Sequence, residues 1–100
     1  MARDQVQQAV LGAVRDVSRR PGLPKLGTES DEKLFGDQGK LDSLGLVELV
    51  VAVEEHVADD LGVTVTLADE KALSRHRSPF RTVGDLVDFV DEIVGDSIVI

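Results

Sequence analysis

The stretch "GKLDSLGLVELVVAVEEH", Gly39 to His56, decides how this 100-residue chain is read. A polar pair, Asp42-Ser43, stands directly before an apolar run with helical spacing. Asp or Ser at that point is a common N-cap signal, because the side-chain oxygen accepts a backbone N–H of the first turn. A serine hydroxyl at a helix N-terminus also suits a phosphate ester, since free N–H groups and the helix dipole favour an anion there. The residues alone leave both readings of Ser43 open. Self-modification is a different matter. A nucleophilic serine needs a base within hydrogen-bond reach, the histidines are His56 and His76, and His56 lies several helical turns along.

On a wheel at about 100° per residue, Leu46, Leu49, Val50, Val53 and Val57 gather on one side of this helix. That stripe is enough to face a core. Leu44, Val47 and Val51 gather on the opposite side with Glu48 and Glu55, and Glu54 sits at its edge. A helix serving one core needs one apolar face, and this one has two. The second mixes aliphatic residues with carboxylates, which suits a docking surface of apolar anchors in a charged rim. Packing of Leu44, Val47 and Val51 against the long loop or the final segment is the plainer alternative.

Outward from this helix, Val6, Val10, Leu11, Val14 and Val17 predict an amphipathic helix over about residues 3–19. "RRPGLP" (Arg19 to Pro24) ends it. A long polar loop follows, with Leu34 and Phe35 as its expected apolar anchor. The second helix is expected from about Ser43 to Asp60, stopping near Gly62. Val63 and Val65 alternate with Thr64 and Thr66, but with no partner strand the segment reads as extended loop. "LADEKALSRH" (Leu67 to His76) predicts a short helix ending before Ser78-Pro79. Thr82 caps a last helix with Asp85 in a capping-box-like position. Its face is Val83, Leu86, Val87, Val90, Ile93 and Val94, and Gly95 is expected to end it. The expected fold is all-α: a small four-helix bundle, three longer helices plus a short third, with a long loop between helices one and two. It would form one domain over residues 1–100.

Composition narrows the function. The chain holds no Cys, Trp or Tyr and three Phe, so the core is aliphatic. Without cysteine there are no disulfides, thiolate metal sites or Cys nucleophiles. The net charge of −8 argues against nucleic acid and favours partners with basic surfaces. The N-terminal "MARDQVQQAV" has no apolar h-region, which predicts no secretory signal, and no segment has the apolar length of a membrane span. A cytoplasmic monomer is the expectation.

With these residues in place, the sequence resembles the acyl carrier protein family. "LDSLGLVELVVAVEEH" looks like that family's Asp-Ser-Leu motif and acidic recognition helix. The resemblance extends over about residues 3–94, including the loop with "LFG" and the final "TVGDLVDFV". It implies that Ser43 carries 4′-phosphopantetheine, attached covalently from coenzyme A, whose thiol holds acyl or aminoacyl groups as thioesters. Asp42 and Leu44 flank that attachment site. Leu44, Val47, Glu48, Val51, Glu54 and Glu55 match the face that meets basic patches on partner enzymes. Those partners would be a phosphopantetheinyl transferase, an acyl- or aminoacyl-loading ligase, and synthase enzymes of fatty-acid, polyketide or related secondary metabolism. The chain itself would be no enzyme. By this resemblance Ser43 is a site of attachment, whether or not it also caps.

Two departures stand out. Gly45 occupies a position usually acidic or polar in the family, which would soften the first turn by up to about 1 kcal/mol relative to Ala and remove a charged contact. The segment from Leu61 to Arg81 is longer than usual, and its "SRHRSPFR" is locally basic, reading as a solvated loop. The Asp96-Ser97-Ile98 triplet repeats the motif with no room for a following helix. Asp31, Gly36 and Asp42 fall at EF-hand-like spacing, but Lys33 and Phe35 occupy ligand positions. His56 and His76 lack further zinc ligands. No metal is expected. A rival reading of a different class is an unmodified helical adaptor that docks partners through the second helix.

Overall fold

The structure is a computed structural model that describes residues 3–36, 39–67 and 80–97. Three helices follow in order: α1 (Arg3–Ser18), α2 (Ser43–Leu61) and α3 (Val83–Ser97). The described residues contain no strand, only an isolated antiparallel bridge between Lys33 and Thr82. The fold is all-α. The short helix expected over 67–76 lies outside the described residues, apart from its first residue. No described helix is long and apolar enough to cross a membrane.

The helices form where the apolar spacing demands. Val6, Val10, Leu11, Val14 and Val17 are buried, joined by Ala9 and Ala13. Both α2 and α3 pack on α1, which makes α1 the shared wall of the core. From α2 the core takes Leu49, Val50, Ala52, Val53 and Val57, and from α3 Val83, Leu86, Val87, Phe89, Val90 and Val94. Leu46 and Ile93 are only partly buried at its margin. Gly62 terminates α2 in the left-handed region (φ 69°), and its N–H bonds back to the Ala58 carbonyl at 3.0 Å, a position where an L side chain would be strained.

Gly95 does not end α3, which runs on to Ser97. A stop glycine works by adopting positive φ, and Gly95 is not among the glycines that do so. Its intrinsic penalty alone, about 1 kcal/mol, is too small to break a helix whose face is packed. The start of α3 follows expectation, with the Asp85 N–H donating to Thr82 Oγ1 at 3.1 Å.

The long connection between α1 and α2 is tied down by a set of backbone bonds. Ser18 Oγ accepts the Leu26 N–H at 2.8 Å and donates to the Val14 carbonyl at 2.9 Å. The Glu32 and Ser30 carbonyls accept from Val83 and Gly84 at 3.1 and 2.8 Å, satisfying amides that the first turn of α3 leaves without helical partners. The Leu34 N–H donates to the Arg81 carbonyl at 2.8 Å, and the Leu41 N–H to the Leu34 carbonyl at 2.9 Å. A Cβ on Gly84 would lie 2.9 Å from the Ser30 carbonyl oxygen, so this close approach requires glycine. Leu34 is the expected anchor and is fully buried; Leu26 and Leu41 join it, and Phe35 packs at the edge.

The segment after α2 is extended loop, as expected, with Val65 and Leu67 buried. Phe80 departs from the solvated-loop reading of "SRHRSPFR". It is buried and meets Phe89 edge-on, with ring centroids 5.9 Å apart. An aromatic ring with an apolar neighbour in reach goes inside, whatever the charge of its flanks. The other residues of that cluster, 74–79, lie outside the described ones apart from Arg81, which is exposed.

Candidate functional site

Asp42, and not Ser43, caps α2. Its backbone is extended (φ −87°, ψ −175°), its Oδ1 accepts the Gly45 N–H at 2.8 Å, and its carbonyl accepts the Leu46 N–H at 2.9 Å. Buried Leu41 holds the chain just before it. Ser43 is therefore the first helical residue, exposed, with its hydroxyl uncommitted to any described residue. The capping role that both residue types suit belongs to its neighbour. Among the described residues the Ser43 and Leu44 N–H groups also have no acceptor, so the turn presents a hydroxyl beside two outward amides, a setting that suits a phosphate ester.

Gly45 faces inward. A Cβ there would lie 3.0 Å from Leu41 Cδ2 and 3.3 Å from Asp42 Oδ1, so a side chain would need the end of Leu41 to give by a few tenths of an ångström.

The second face of α2 is real. Leu44, Val47 and Val51 are 69, 58 and 45 % exposed and are the large hydrophobic residues most exposed among those described. None of the three is buried against the described residues of the loop or of α3. Clustered exposure of this kind marks a surface with a use more often than scattered aliphatic residues do.

The three carboxylates assigned to that face differ. Glu55 is exposed and has no ion pair among the described residues. Glu48 is half-exposed and its Oε1 accepts from Arg20 Nη1. Glu54 is half-buried and its Oε2 accepts the Leu67 N–H at 2.8 Å, fixing the extended segment after α2. Asp42 is bound to its capping role, and Asp31 is exposed. Among the described residues no group of three or more His, Cys, Asp or Glu side chains surrounds a metal position.

His56 is where sequence reasoning fell short. Its Nε2 lies 2.6 Å from Asp16 Oδ2 on α1, and its Nδ1 lies 3.9 Å from Asp60 Oδ2, an inter-helix contact that period alone does not show. The hydrogen bond from His56 holds the Asp16 carboxyl below its usual 3.8, helped by the charges of His56, Arg19 and Arg20. The ring sits over Gly12, where a Cβ would come within 2.9 Å of Nδ1. Gly12 and Asp16, one turn apart on α1, were the signal in the sequence. Since His56 lies thirteen residues beyond Ser43, about 20 Å along the helix, this pair is no base for the Ser43 hydroxyl. His76 lies outside the described residues. A groove of about 540 Å³ lined by Asp4, Gln5, Gln8, Asp59, Asp60 and Leu61 lies at the end of α2 remote from Ser43.

No family model matches the sequence, and no solved structure does. Among curated proteins the chain is similar to "Acyl carrier protein, mitochondrial" of Saccharomyces cerevisiae, with 33% identity over 91 residues. The match takes in 90% of this chain, and the chain spans 63% of that protein's length. The mitochondrial location is that protein's, and it lends nothing to the cytoplasmic location expected here. By this identity over 90% of its length, the all-α chain is similar to an acyl carrier protein, of which it spans less than two thirds.

Proposed function

We propose that this chain is a single carrier domain that holds acyl or aminoacyl groups through a 4′-phosphopantetheine arm on Ser43. The observation that carries the reading is the division of labour at the start of α2. Asp42 takes the capping bond, which leaves the Ser43 hydroxyl exposed at a turn with unpaired amides. In the attachment step Ser43 Oγ forms a phosphoester bond as the pyrophosphate bond of coenzyme A breaks and adenosine 3′,5′-bisphosphate leaves. A separate transferase supplies the base, since the Ser43 hydroxyl has no hydrogen-bond partner among the described residues and His56 lies about 20 Å along the helix. The arm brings a thiol on which cargo is held as a thioester.

Leu44, Val47 and Val51 supply the apolar part of the surface on which transferase, loading ligase and synthase enzymes dock in turn. Glu55 and the rest of the acidic charge attract their basic patches, a long-range effect that raises association rates and falls with salt. An arm on Ser43 would leave next to Leu44, at the edge of that same surface, so docking and delivery are coupled by position.

The test is the intact mass after incubation with coenzyme A and a broad-specificity phosphopantetheinyl transferase, beside Ser43→Ala. The expected result is a gain of one phosphopantetheine in the wild type and none in the variant. A folded wild-type protein that gains nothing with several transferases would instead support the unmodified adaptor, which uses the same exposed face without an arm.

A further inference from the structure

Glu48 lies one helical turn from both Leu44 and Val51, in the middle of the exposed face of α2, yet its carboxylate is already engaged. Arg20, in the turn that leaves α1, donates from Nη1 to Glu48 Oε1 across 28 residues of sequence. The arginine backbone is held in place, with its N–H on the Val17 carbonyl at 3.1 Å and its carbonyl accepting from Leu23 at 3.3 Å. Pro21, directly after it, restricts it further. The two side chains are 36 and 43 % exposed, and one nitrogen meets one oxygen. This is a single-contact pair at the surface, weaker than a bidentate fork and open to exchange.

A guanidinium over a carboxylate on a docking face is the same chemistry that a basic partner would bring. We propose that Arg20 is an internal competitor for Glu48. In the free protein it occupies the carboxylate, and a partner enzyme that docks through a basic patch reaches Glu48 only by displacing it. Glu55, exposed and without an ion pair among the described residues, carries no such obstacle. Arg20 therefore selects among partners, disfavouring those that need Glu48 relative to those content with Glu55 and the apolar trio. The inference rests on the carrier reading, with a partner of basic docking surface as the occupant. Charge complementarity to a chain of net charge −8 names that occupant.

The experiment is steady-state attachment of phosphopantetheine by a broad-specificity transferase at low ionic strength. It compares wild type, Arg20→Gln, Arg19→Gln and the Arg20→Gln/Glu48→Gln double variant, each checked for folding by thermal melting. Arg19 is the charge control: its side chain is 77 % exposed and reaches Asp16 only at 4.0 Å. Arg20→Gln is expected to lower KM about threefold with kcat unchanged, in line with the modest strength of exposed pairs. Arg19→Gln is expected to fall clearly short of that, and the gain is expected to vanish in the double variant. Equal effects of the two arginine variants, or a gain that survives removal of Glu48, would mean net charge alone acts and would overturn the proposal. A raised KM in Arg20→Gln would overturn it too, by making Arg20 a contact in its own right. No attachment to wild type would remove the carrier reading and this proposal together, whereas attachment with unaltered Arg20→Gln kinetics removes only the proposal.

Discussion

Asp42 and Ser43 are adjacent residues of types that can both cap a helix, and the structure gives them different tasks. The Asp42 Oδ1 bond to Gly45 is the cap, so Asp42→Ala should cost about 1 kcal/mol of folding stability, with Asp42→Asn keeping most of it. Ser43→Ala removes a hydroxyl that bonds to nothing described, and it should change stability by less than about 0.5 kcal/mol. Urea denaturation of the three variants measures both. A loss for Ser43→Ala as large as for Asp42→Ala would show that the serine also caps, and loss of arm attachment in that variant could then reflect a damaged turn. The place where α2 begins was legible from the sequence to the residue, because an apolar run after a polar pair is a strong signal. Which of the pair caps was not. Both side chains fit the pattern, and the choice lies in the extended backbone of Asp42, which buried Leu41 holds on one side.

At the scale of elements, the two faces of α2 and the stripes of α1 and α3 were readable because helical period fixes which residues share a side. The contact between helices was less so. His56 reads as a polar residue on an acidic surface until α1 is laid beside α2; then Gly12 makes the seat for its ring and Asp16 the acceptor. Period says which way a side chain points but not what a neighbouring helix offers it. This seat makes a sign-changing prediction. Gly→Ala within a helix normally stabilises by about 1 kcal/mol, but at Gly12 the new methyl would sit 2.9 Å from Nδ1 and push the ring off Asp16. Gly12→Ala should therefore be neutral or destabilising in the wild type. In a His56→Ala background it should recover the full gain of about 1 kcal/mol. Chemical denaturation of the four proteins closes the cycle. Equal effects of Gly12→Ala in the two backgrounds would mean that the ring and the glycine are not coupled.

For the whole molecule, the part hidden from the sequence was the connection before α2, which looks loose but is tied to distant segments at its described residues. Alternation and period carry no information about loops whose order comes from backbone bonds to distant segments, such as those from residues 30–34 to 81–84. Glu32 is a hub of this connection: its Oε2 accepts both the Gly27 N–H and Lys40 Nζ, the latter at 2.8 Å. The bond from Lys40, then that from Gly27, holds its carboxyl below the usual 4.5. A carboxylate whose folded value is depressed stabilises the fold fully above its unfolded value and loses that contribution as pH falls through the folded one. The Glu32 contribution is thus intact from pH 7 down to about 4.5 and disappears below. That of Asp16 follows the same sign, starting near its own usual value of 3.8. The net charge of −8 works the other way, since acid relieves self-repulsion. The melting temperature should hold or rise slightly from pH 7 to 5, then fall. Glu32→Gln isolates the hub, because the amide oxygen can still accept from Gly27 while the Lys40 pairing is lost. At pH 7 it should cost about 1 kcal/mol, or several degrees of melting temperature for a chain of this size. As pH falls through the lowered folded-state value of Glu32, the two melting curves should draw together. A gap that stayed constant through the whole acid limb would mean that Glu32 holds the loop by shape and not by charge.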